Sequence, residues 1–233
     1  YTIKNKPFEA TIEVLRDDIE DDQIGIYATM TQDAGFSAKT WPDELMTELK
    51  DSAFSKACYD GQYFYDTDHP VGNITPVSVS NRGTAPLSRA TLALAEASYG
   101  AARLAIMNFT DDEGRKLGLI PDTLEVPAAL ETTANALMNN EKLADGTPNP
   151  YKGQCKVKVN PRLTSSTAWF LHVTNRPLKP FIFQIRKRPV FVQQIDENAD
   201  DVFMRGTFKY GVEARGNAGF GLWQLSYGST GQG

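Results

Sequence analysis

Apolar and polar residues alternate near the start of the chain, in the stretch FEATIEVL. Its apolar positions are Phe8, Ala10, Ile12 and Val14. A period of two places these side chains on one face of a β-strand. The run DDIEDD, with acids at five of the six positions 17–22, follows directly. Carboxylates in a first helical turn complement the positive end of the helix dipole, so this run predicts a helix start rather than a Ca²⁺ loop, whose alternating ligands and Gly turn are missing.

Helical periodicity follows the acidic run. The pattern predicts a helix to about Ala34, an interruption at Gly35, and a second helix from near Thr40 with Pro42 just inside its start. The stretch APLSRATLALAEASYGAARLAIMNF predicts the most regular helix, with Ser88 as its cap. A third helix is predicted from about Pro127, with apolar residues recurring on one side.

The second half of the chain changes to strand patterns. KVKV alternates up to Pro161, and AWFLHV has the continuous apolar character of a buried strand. FIFQI and VFVQQI flank residues 186–189, which predicts a hairpin with a charged tip. GNAG predicts a tight turn between two further strands. Helices in the first half and strands in the second half indicate the α+β class.

Composition narrows the class of protein without naming a function. The 233 residues contain 41% hydrophobic and 23% charged residues, which is typical of globular domains. No apolar run is long enough to cross a bilayer, so no membrane partner is expected. The net charge of -5 disfavours broad nucleic-acid binding. Two cysteines exclude a disulfide framework and favour reduced thiols in a cytoplasm, although a single bridge stays open.

The segment YDGQYFYDTDHPVGN contains the strongest candidate for chemistry. Asp66, Asp68 and His69 could hold a divalent cation or act as acid and base. Asp60-Gly61 and His69-Pro70 are turn signatures, however, and explain the same polar residues without chemistry. The other histidine, His172, lies in an apolar run and is expected to be a hydrogen-bonded core residue. We therefore predict no catalytic residue, no metal and no cofactor.

Other catalytic signatures are missing from the sequence. There is no phosphate loop and no nucleophile elbow, and the glycines of GNAGFG do not match a dinucleotide fingerprint. The triplet Arg186-Lys187-Arg188 could contact nucleic acid, but a solvated turn is the simpler interpretation. This profile is typical of a structural or interaction protein rather than an enzyme.

Four stretches in order resemble the major head subunit of Mu-like tailed phages. They are FEATIEVLRDDIEDDQIGIY running into WPDELMTELKDSAFSKACYDGQYFYDTDHPVGN, then LIPDTLEVPAALETTANALM, AWFLHVTNRPLKPFIFQIRKRPVF and FKYGVEARGNAGFGLWQLSYGS. Together they cover most of the chain, so the resemblance is global. The family has an N-terminal arm and an extended loop ahead of the TIEVLRDDIEDD strand, and only about ten residues precede it here. We therefore expect either a fragment or an unusually short subunit.

The resemblance implies the Hong Kong 97-type capsid fold, with a long spine helix, a peripheral domain and an axial domain. It implies a spine helix through the region 25–57. It further implies strand, spine helix and peripheral domain in residues 1–118, an axial domain in 119–200 and returning peripheral strands in 201–233.

The function that the resemblance implies is that of a self-assembling major capsid protein in the virion. We expect hexamers and pentamers of an icosahedral shell, assembled in the cytoplasm of a bacterial host. Scaffolding, portal or decoration proteins are possible partners, and DNA is contacted only non-specifically as packaged genome. The alternatives are a metal-dependent hydrolase using Asp66, Asp68 and His69, and a phage tail or decoration component.

Charged clusters are the candidate contacts between subunits. Closed shells need heterologous contacts repeated around symmetry axes. An acidic run and a basic triplet on different parts of one chain could pair between neighbours. The predicted contact residues are Asp17, Asp18, Glu20, Asp21, Asp22, Arg186, Lys187 and Arg188.

Overall fold

The computed structural model describes residues 2–21, 25–73, 76–196 and 198–233. The chain forms two compact units, each built from two separate segments. Unit 1 comprises Thr47–Ile182 with Phe220–Gly233, and unit 2 comprises Thr2–Met46 with Phe183–Gly219. In the described ranges, no helix has both the length and the apolar character that a membrane crossing requires.

Helices and strands are mixed along the chain. The first part forms β1 (Lys6–Leu15), α1 (Arg16–Glu20), α2 (Ile26–Asp51), β2 (His69–Val71), β3 (Val77–Val79) and β4 (Arg82–Gly83). The middle forms α3 (Leu92–Ala95), α4 (Ala101–Asn108), β5 (Thr123–Val126), α5 (Glu131–Asn139), β6 (Lys156–Val159) and β7 (Trp169–His172). The last part forms β8 (Phe181–Gln194), α6 (Asp200–Arg205), β9 (Thr207–Phe220) and β10 (Ser226–Ser229). The predicted α+β class is confirmed.

Unit 2 contains a three-stranded sheet of order β1-β9-β8. Strands β1 and β9 run antiparallel, in a register that places Lys6 opposite Gly216. Phe8 on β1 packs 5.2 Å from Trp41 of α2, measured between ring centroids, and Trp41 meets Phe183 edge-on at 5.9 Å. The predicted strand in FEATIEVL is therefore confirmed, and its apolar positions are less exposed than the polar positions between them, as a period of two requires.

The helix α2 runs without a break from Ile26 to Asp51, so the predicted interruption at Gly35 is wrong. A glycine in a helix interior costs only about 1 kcal/mol relative to alanine, which a long packed helix tolerates. Pro42 lies in the interior of α2 rather than at its start. The first part of the acidic run lies in α1, with Asp17 and Asp18 in its first turn, which confirms the predicted helix start; α1 ends at Glu20, however, and does not continue to Ala34 as predicted.

The two turns predicted in the second half are wrong, because both segments are continuous strands. Residues 186–189 lie inside β8, and Pro189 is tolerated there because β8 is an edge strand of its sheet. GNAG lies inside β9. A Cβ atom on Gly216 would lie 2.7 Å from the carbonyl oxygen of Gln184, so this glycine permits close strand approach rather than a turn.

Unit 1 contains a five-stranded sheet of order β4-β10-β7-β5-β6 and a small hairpin of β2 and β3. Strand β10 pairs antiparallel with β7 and parallel with β4. Strand β5 pairs parallel with β6 and antiparallel with β7. The strands predicted in KVKV and AWFLHV are confirmed as β6 and β7.

The helices of unit 1 begin close to their predicted positions. The long predicted helix consists of α3 and α4 joined by a π-helical turn at Glu96–Gly100, and its cap is Thr91 rather than Ser88. The Thr91 hydroxyl accepts a hydrogen bond from the backbone N–H of Leu94 at 3.3 Å. A short 3-10 turn follows Pro127 and leads into α5, which confirms the third helix.

The boundaries of the two compact units differ from the domain boundaries that the resemblance implies. The predicted axial segment, 119–200, contributes β5, β6 and β7 to unit 1, while its residues from 183 onward belong to unit 2. Those domains are defined by position in an assembled shell, so their bounds stay a prediction.

Candidate functional site

The acidic run is an exposed surface at the start of unit 2. Arg16 lies 3.8 Å from Asp17 and 3.9 Å from Glu20, and these two acidic side chains are 83% and 70% exposed. Asp18 and Asp21 are exposed as well. Asp22 lies outside the described residues. One arginine balances only part of this negative charge, so the run keeps capacity for a cationic partner.

The basic triplet lies on the edge strand β8. Lys187 forms an ion pair with Glu213 of the neighbouring strand β9. Arg186 and Arg188 are exposed and form no ion pair with any residue in the described ranges. The two arginines are therefore exposed as predicted, but they lie on an edge strand and not at the tip of a hairpin.

Exposed apolar side chains lie along β8, in the same strand as the two arginines, and on α6 of the same unit. On and just after β8 they are Ile185, Val190, Phe191, Val192 and Ile195. Phe203 and Met204 of α6 are 79% and 77% exposed. Contiguous exposed apolar surface is uncommon on monomeric soluble proteins and marks contact sites. An edge strand also presents unpaired backbone donors and acceptors. The apolar character of β8 is visible in the sequence, but its position at the edge of a sheet is not.

The residues Asp66, Asp68 and His69 do not form a common site. Asp66 holds a turn, since its carboxylate accepts hydrogen bonds from the backbone N–H groups of Tyr63 at 3.1 Å and Thr67 at 2.8 Å. Asp68 is exposed, whereas His69 is fully buried and stacks on Trp223 with ring centroids 4.1 Å apart. The three-residue metal centre considered from the sequence is therefore wrong.

A buried ion pair lies in the core of unit 1. Lys50 of α2 is 5% exposed and Glu125 of β5 is 2% exposed, and the lysine Nζ lies 2.7 Å from both carboxylate oxygens. His172 Nε2 is 3.3 Å from Glu125 Oε2, at an angle that falls short of a hydrogen bond. Asn160 donates to Glu125 Oε1 at 3.0 Å. The core position predicted for His172 is confirmed, whereas its partners carry no signal in the sequence.

Burial and charge act in opposite directions on this cluster. Burial by itself would raise the pKa of Glu125, but the contacts with His172 and Lys50 outweigh it and lower the pKa well below its ordinary value. Burial lowers the pKa of His172, which keeps the ring neutral, and its Nδ1 lies 2.8 Å from the Ser226 hydroxyl. The network lies in the core and pairs the Glu125 charge with Lys50 and Asn160, while His172 Nε2 is buried without a hydrogen bond to a described residue, and this arrangement has a structural role.

Comparison with known proteins identifies the family. The family model of the Mu-like prophage major head subunit gpT matches residues 1–90, 84–163 and 160–232. The Mu-like prophage FluMu major head subunit of Haemophilus influenzae is 30% identical over 233 residues, covering 100% of this chain and 53% of that protein. The major capsid protein of Escherichia phage Mu is 29% identical over 226 residues, covering 97% of this chain and 51% of that protein. The chain thus spans about half the length of the curated relatives it matches.

A solved structure gives the same answer for the fold. The capsid of bacteriophage JBD30, decorated with minor capsid protein trimers, matches with a TM-score of 0.63 and 25% identity over 70% of this chain and 76% of that chain. The fold is therefore that of Hong Kong 97-type phage capsid proteins, as the resemblance implied. Members of the family are structural head proteins and not enzymes, which rules out the hydrolase alternative and the tail alternative. Because the family model matches nearly every residue, the chain belongs to the Mu-like prophage major head subunit family.

Proposed function

We propose that this chain is the shell-forming part of a phage head subunit, which assembles with its own copies into hexamers and pentamers of an icosahedral shell. Family membership and the capsid fold support this proposal. Assembly in the cytoplasm of a bacterial host, with scaffolding, portal or decoration proteins as partners, belongs to the same proposal. DNA would be enclosed and contacted only non-specifically, because the net charge of -5 disfavours a broad phosphate-binding face.

The observation that carries the proposal is the outer edge of β8 in unit 2, which pairs with no further strand among the described residues. Strand β8 presents Arg186, Arg188 and several apolar side chains to solvent at the edge of a sheet. An edge with free backbone groups, apolar side chains and fixed charge has the properties of a contact between subunits. The exposed run at Asp17 and Asp18 supplies the opposite charge for a neighbouring copy.

The energy of such pairing depends on repetition. One exposed ion pair contributes about 0–1 kcal/mol, so a single contact does not hold two subunits together. In a closed shell the same contact recurs around every local axis, and the sum becomes large. We propose the axial role of residues 119–200 and the peripheral role of the remaining segments on the same basis, as positions in that shell.

Charge reversal on β8 tests the proposal. The variant Arg186→Glu/Arg188→Glu, expressed within the complete coding sequence, is expected to remain folded by circular dichroism and to lose shells in negative-stain images. Light scattering after size exclusion measures the shift from shells to small species. A matched control is Lys142→Glu/Lys156→Glu in unit 1, which makes the same change of charge at two exposed lysines without an ion pair in the described ranges.

A compensating variant separates pairing from a general effect of charge. Adding Asp17→Arg/Asp18→Arg to the β8 variant should restore shells, because each neighbouring pair is again of opposite sign. Normal shells from the β8 variant alone would refute the contact. Loss of shells from both the β8 variant and the control would show that assembly responds to total charge and not to this edge.

A further inference from the structure

Three potential metal ligands converge next to the hairpin of unit 1. One donor atom each of Cys58, Asp60 and His69 lies within 4.8 Å of the other two. His69 is fully buried, Cys58 is 7% exposed, and the Asp60 side chain is 10% exposed. The Cys58 Sγ atom lies 2.9 Å from Asp60 Oδ1, and His69 Nδ1 lies 2.7 Å from Asp60 Oδ2. A cysteine, a carboxylate and an imidazole in one buried place are the ligand types of zinc sites.

The orientation of Asn81 determines which ring nitrogen of His69 carries a proton. Asn81 is fully buried, and its Nδ2 donates to the carbonyl oxygens of Phe64 at 2.8 Å and Ser226 at 3.2 Å. Its Oδ1 accepts from the backbone N–H of Asp66 at 3.0 Å. Reversing the amide would place a donor against a donor and an acceptor against acceptors, so the amide orientation is fixed.

The fixed amide orients the His69 ring with Nε2 toward Asn81 and Nδ1 toward Asp60. His69 Nε2 lies 3.2 Å from Asn81 Oδ1, which can only accept, so Nε2 carries the proton. In the neutral ring Nδ1 then has a free lone pair, and it points at the Asp60 carboxylate at 2.7 Å. Nδ1 is therefore the ring atom that faces the site, with a carboxylate beside it. A second-shell oxygen that fixes the tautomer in this way is the usual arrangement around a metal-bound histidine.

We propose that Cys58, Asp60 and His69 bind one divalent transition-metal ion of the Zn²⁺ class. Without an ion the same three residues are joined through Asp60, whose carboxylate lies 2.9 Å from the Cys58 sulfur and 2.7 Å from His69 Nδ1, so the tests below separate the two states. A thiolate and a carboxylate carry two negative charges and balance a divalent ion in a buried place. The sulfur and nitrogen donors favour Zn²⁺ over Mg²⁺ or Ca²⁺, which prefer oxygen ligands. Water or the second Asp60 oxygen completes four ligands.

The ion would act as a structural clamp. It would tie the turn containing Cys58 and Asp60 to the start of β2 at His69, whose ring packs on Trp223. In the metal-free state burial raises the pKa of Cys58 to about 12, so the thiol is protonated and donates to Asp60. Metal binding displaces that proton, because the thiolate is the ligand. This inference is independent of the proposed shell contacts, which lie in unit 2.

Metal content and cobalt spectra test the site directly. Protein purified from cells supplied with zinc is expected to contain one zinc ion per chain, measured by elemental mass spectrometry. Replacing zinc with Co²⁺ should give a thiolate charge-transfer band. Cys58→Ser should abolish that band and weaken zinc binding by about 10-fold or more, measured by competition with a chromophoric chelator. Cys155→Ser is the matched control, since Cys155 is also a buried free cysteine and bonds to Tyr99 instead.

Four results would overturn the proposed metal site. Zinc far below one per chain, or zinc content unchanged in Cys58→Ser, would show adventitious binding. A cobalt complex without the thiolate band would exclude Cys58 as a ligand. Titration of the unsubstituted chain needs no variant to fold, so a destabilised Cys58→Ser leaves the first and third results intact. Nitrogen NMR showing protons on both ring nitrogens of His69 in zinc-loaded protein would assign the pair to a shared proton.

Discussion

Removing the lysine of the buried ion pair is the most direct perturbation of unit 1. In Lys50→Met the apolar stem is retained and the charge is lost. Glu125, which is 2% exposed, then keeps Asn160 as a hydrogen-bond donor but loses both 2.7 Å contacts with the ammonium group. Removing one partner of a buried ion pair typically costs about 3–5 kcal/mol, because the remaining charge is desolvated without compensation. We expect a loss of this size in the free energy of unfolding.

Urea unfolding measures the loss. Trp169 and Trp223 are each 1% exposed and lie in the same unit, so their fluorescence reports its unfolding. With a urea dependence of about 2 kcal/mol per M, the midpoint should fall by about 1.5–2.5 M. The matched control, Lys156→Met, changes an exposed lysine and should stay within about 0.5 kcal/mol of the parent.

A double variant separates charge from packing. Lys50→Met/Glu125→Leu removes both charges, and apolar replacement of a whole buried pair is often neutral or stabilising. We expect the double variant to recover most of the stability lost by Lys50→Met alone. A loss below about 1 kcal/mol for the single variant would contradict the argument, because it would mean that Glu125 is not held as an unscreened buried charge. Equal losses for the single and double variants would assign the effect to packing.

Two further predictions concern pH and helix continuity. The folded-state pKa values of His172 and Glu125 are lowered from their ordinary values of 6.5 and 4.5, so the unfolded chain binds more protons than the folded chain. The free energy of unfolding should therefore fall as the pH drops below about 6.5. In His172→Gln, the urea midpoint should lose the upper part of this pH dependence. Gly35→Ala should raise the free energy of unfolding of unit 2 by about 0.5–1 kcal/mol, because alanine favours the helix and a Cβ atom there meets no atom within 4 Å. A lower melting temperature would show that α2 needs this glycine.

Local hydrophobic patterns were sufficient to predict a helix or strand where one periodicity is present without a competing signal. The alternation around Phe8 and Ile12, the helix after Pro127 and the strand containing His172 were predicted because each pattern follows one periodicity without a competing signal. The predictions failed where a turn residue has a tertiary role. Pro189 and Gly216 are turn signals by composition, but one is tolerated at a sheet edge and the other permits a close strand approach.

The buried polar contacts could not be predicted from sequence. Lys50 and Glu125 are 75 positions apart and belong to elements whose pairing is set by the fold. A single charged residue within an apolar strand, as in TLEV, is the only local signal of such a pair, and it does not name the partner. The same limit explains why His69 was singled out with Asp66 and Asp68, whereas the fold brings it to Cys58 and Asp60.

The central sheet of unit 1 has a consequence for folding during synthesis. Strand β7 needs β10 as its neighbour, but residues 183–219, which build unit 2, are translated between them. At about 5–20 residues per second, translation of that segment takes about 2–7 s. During this time the backbone of Phe170 and Leu171 lacks the strand that later pairs with it. The nascent chain therefore exposes an open apolar edge for seconds, an interval in which premature association would compete with correct folding of the subunit.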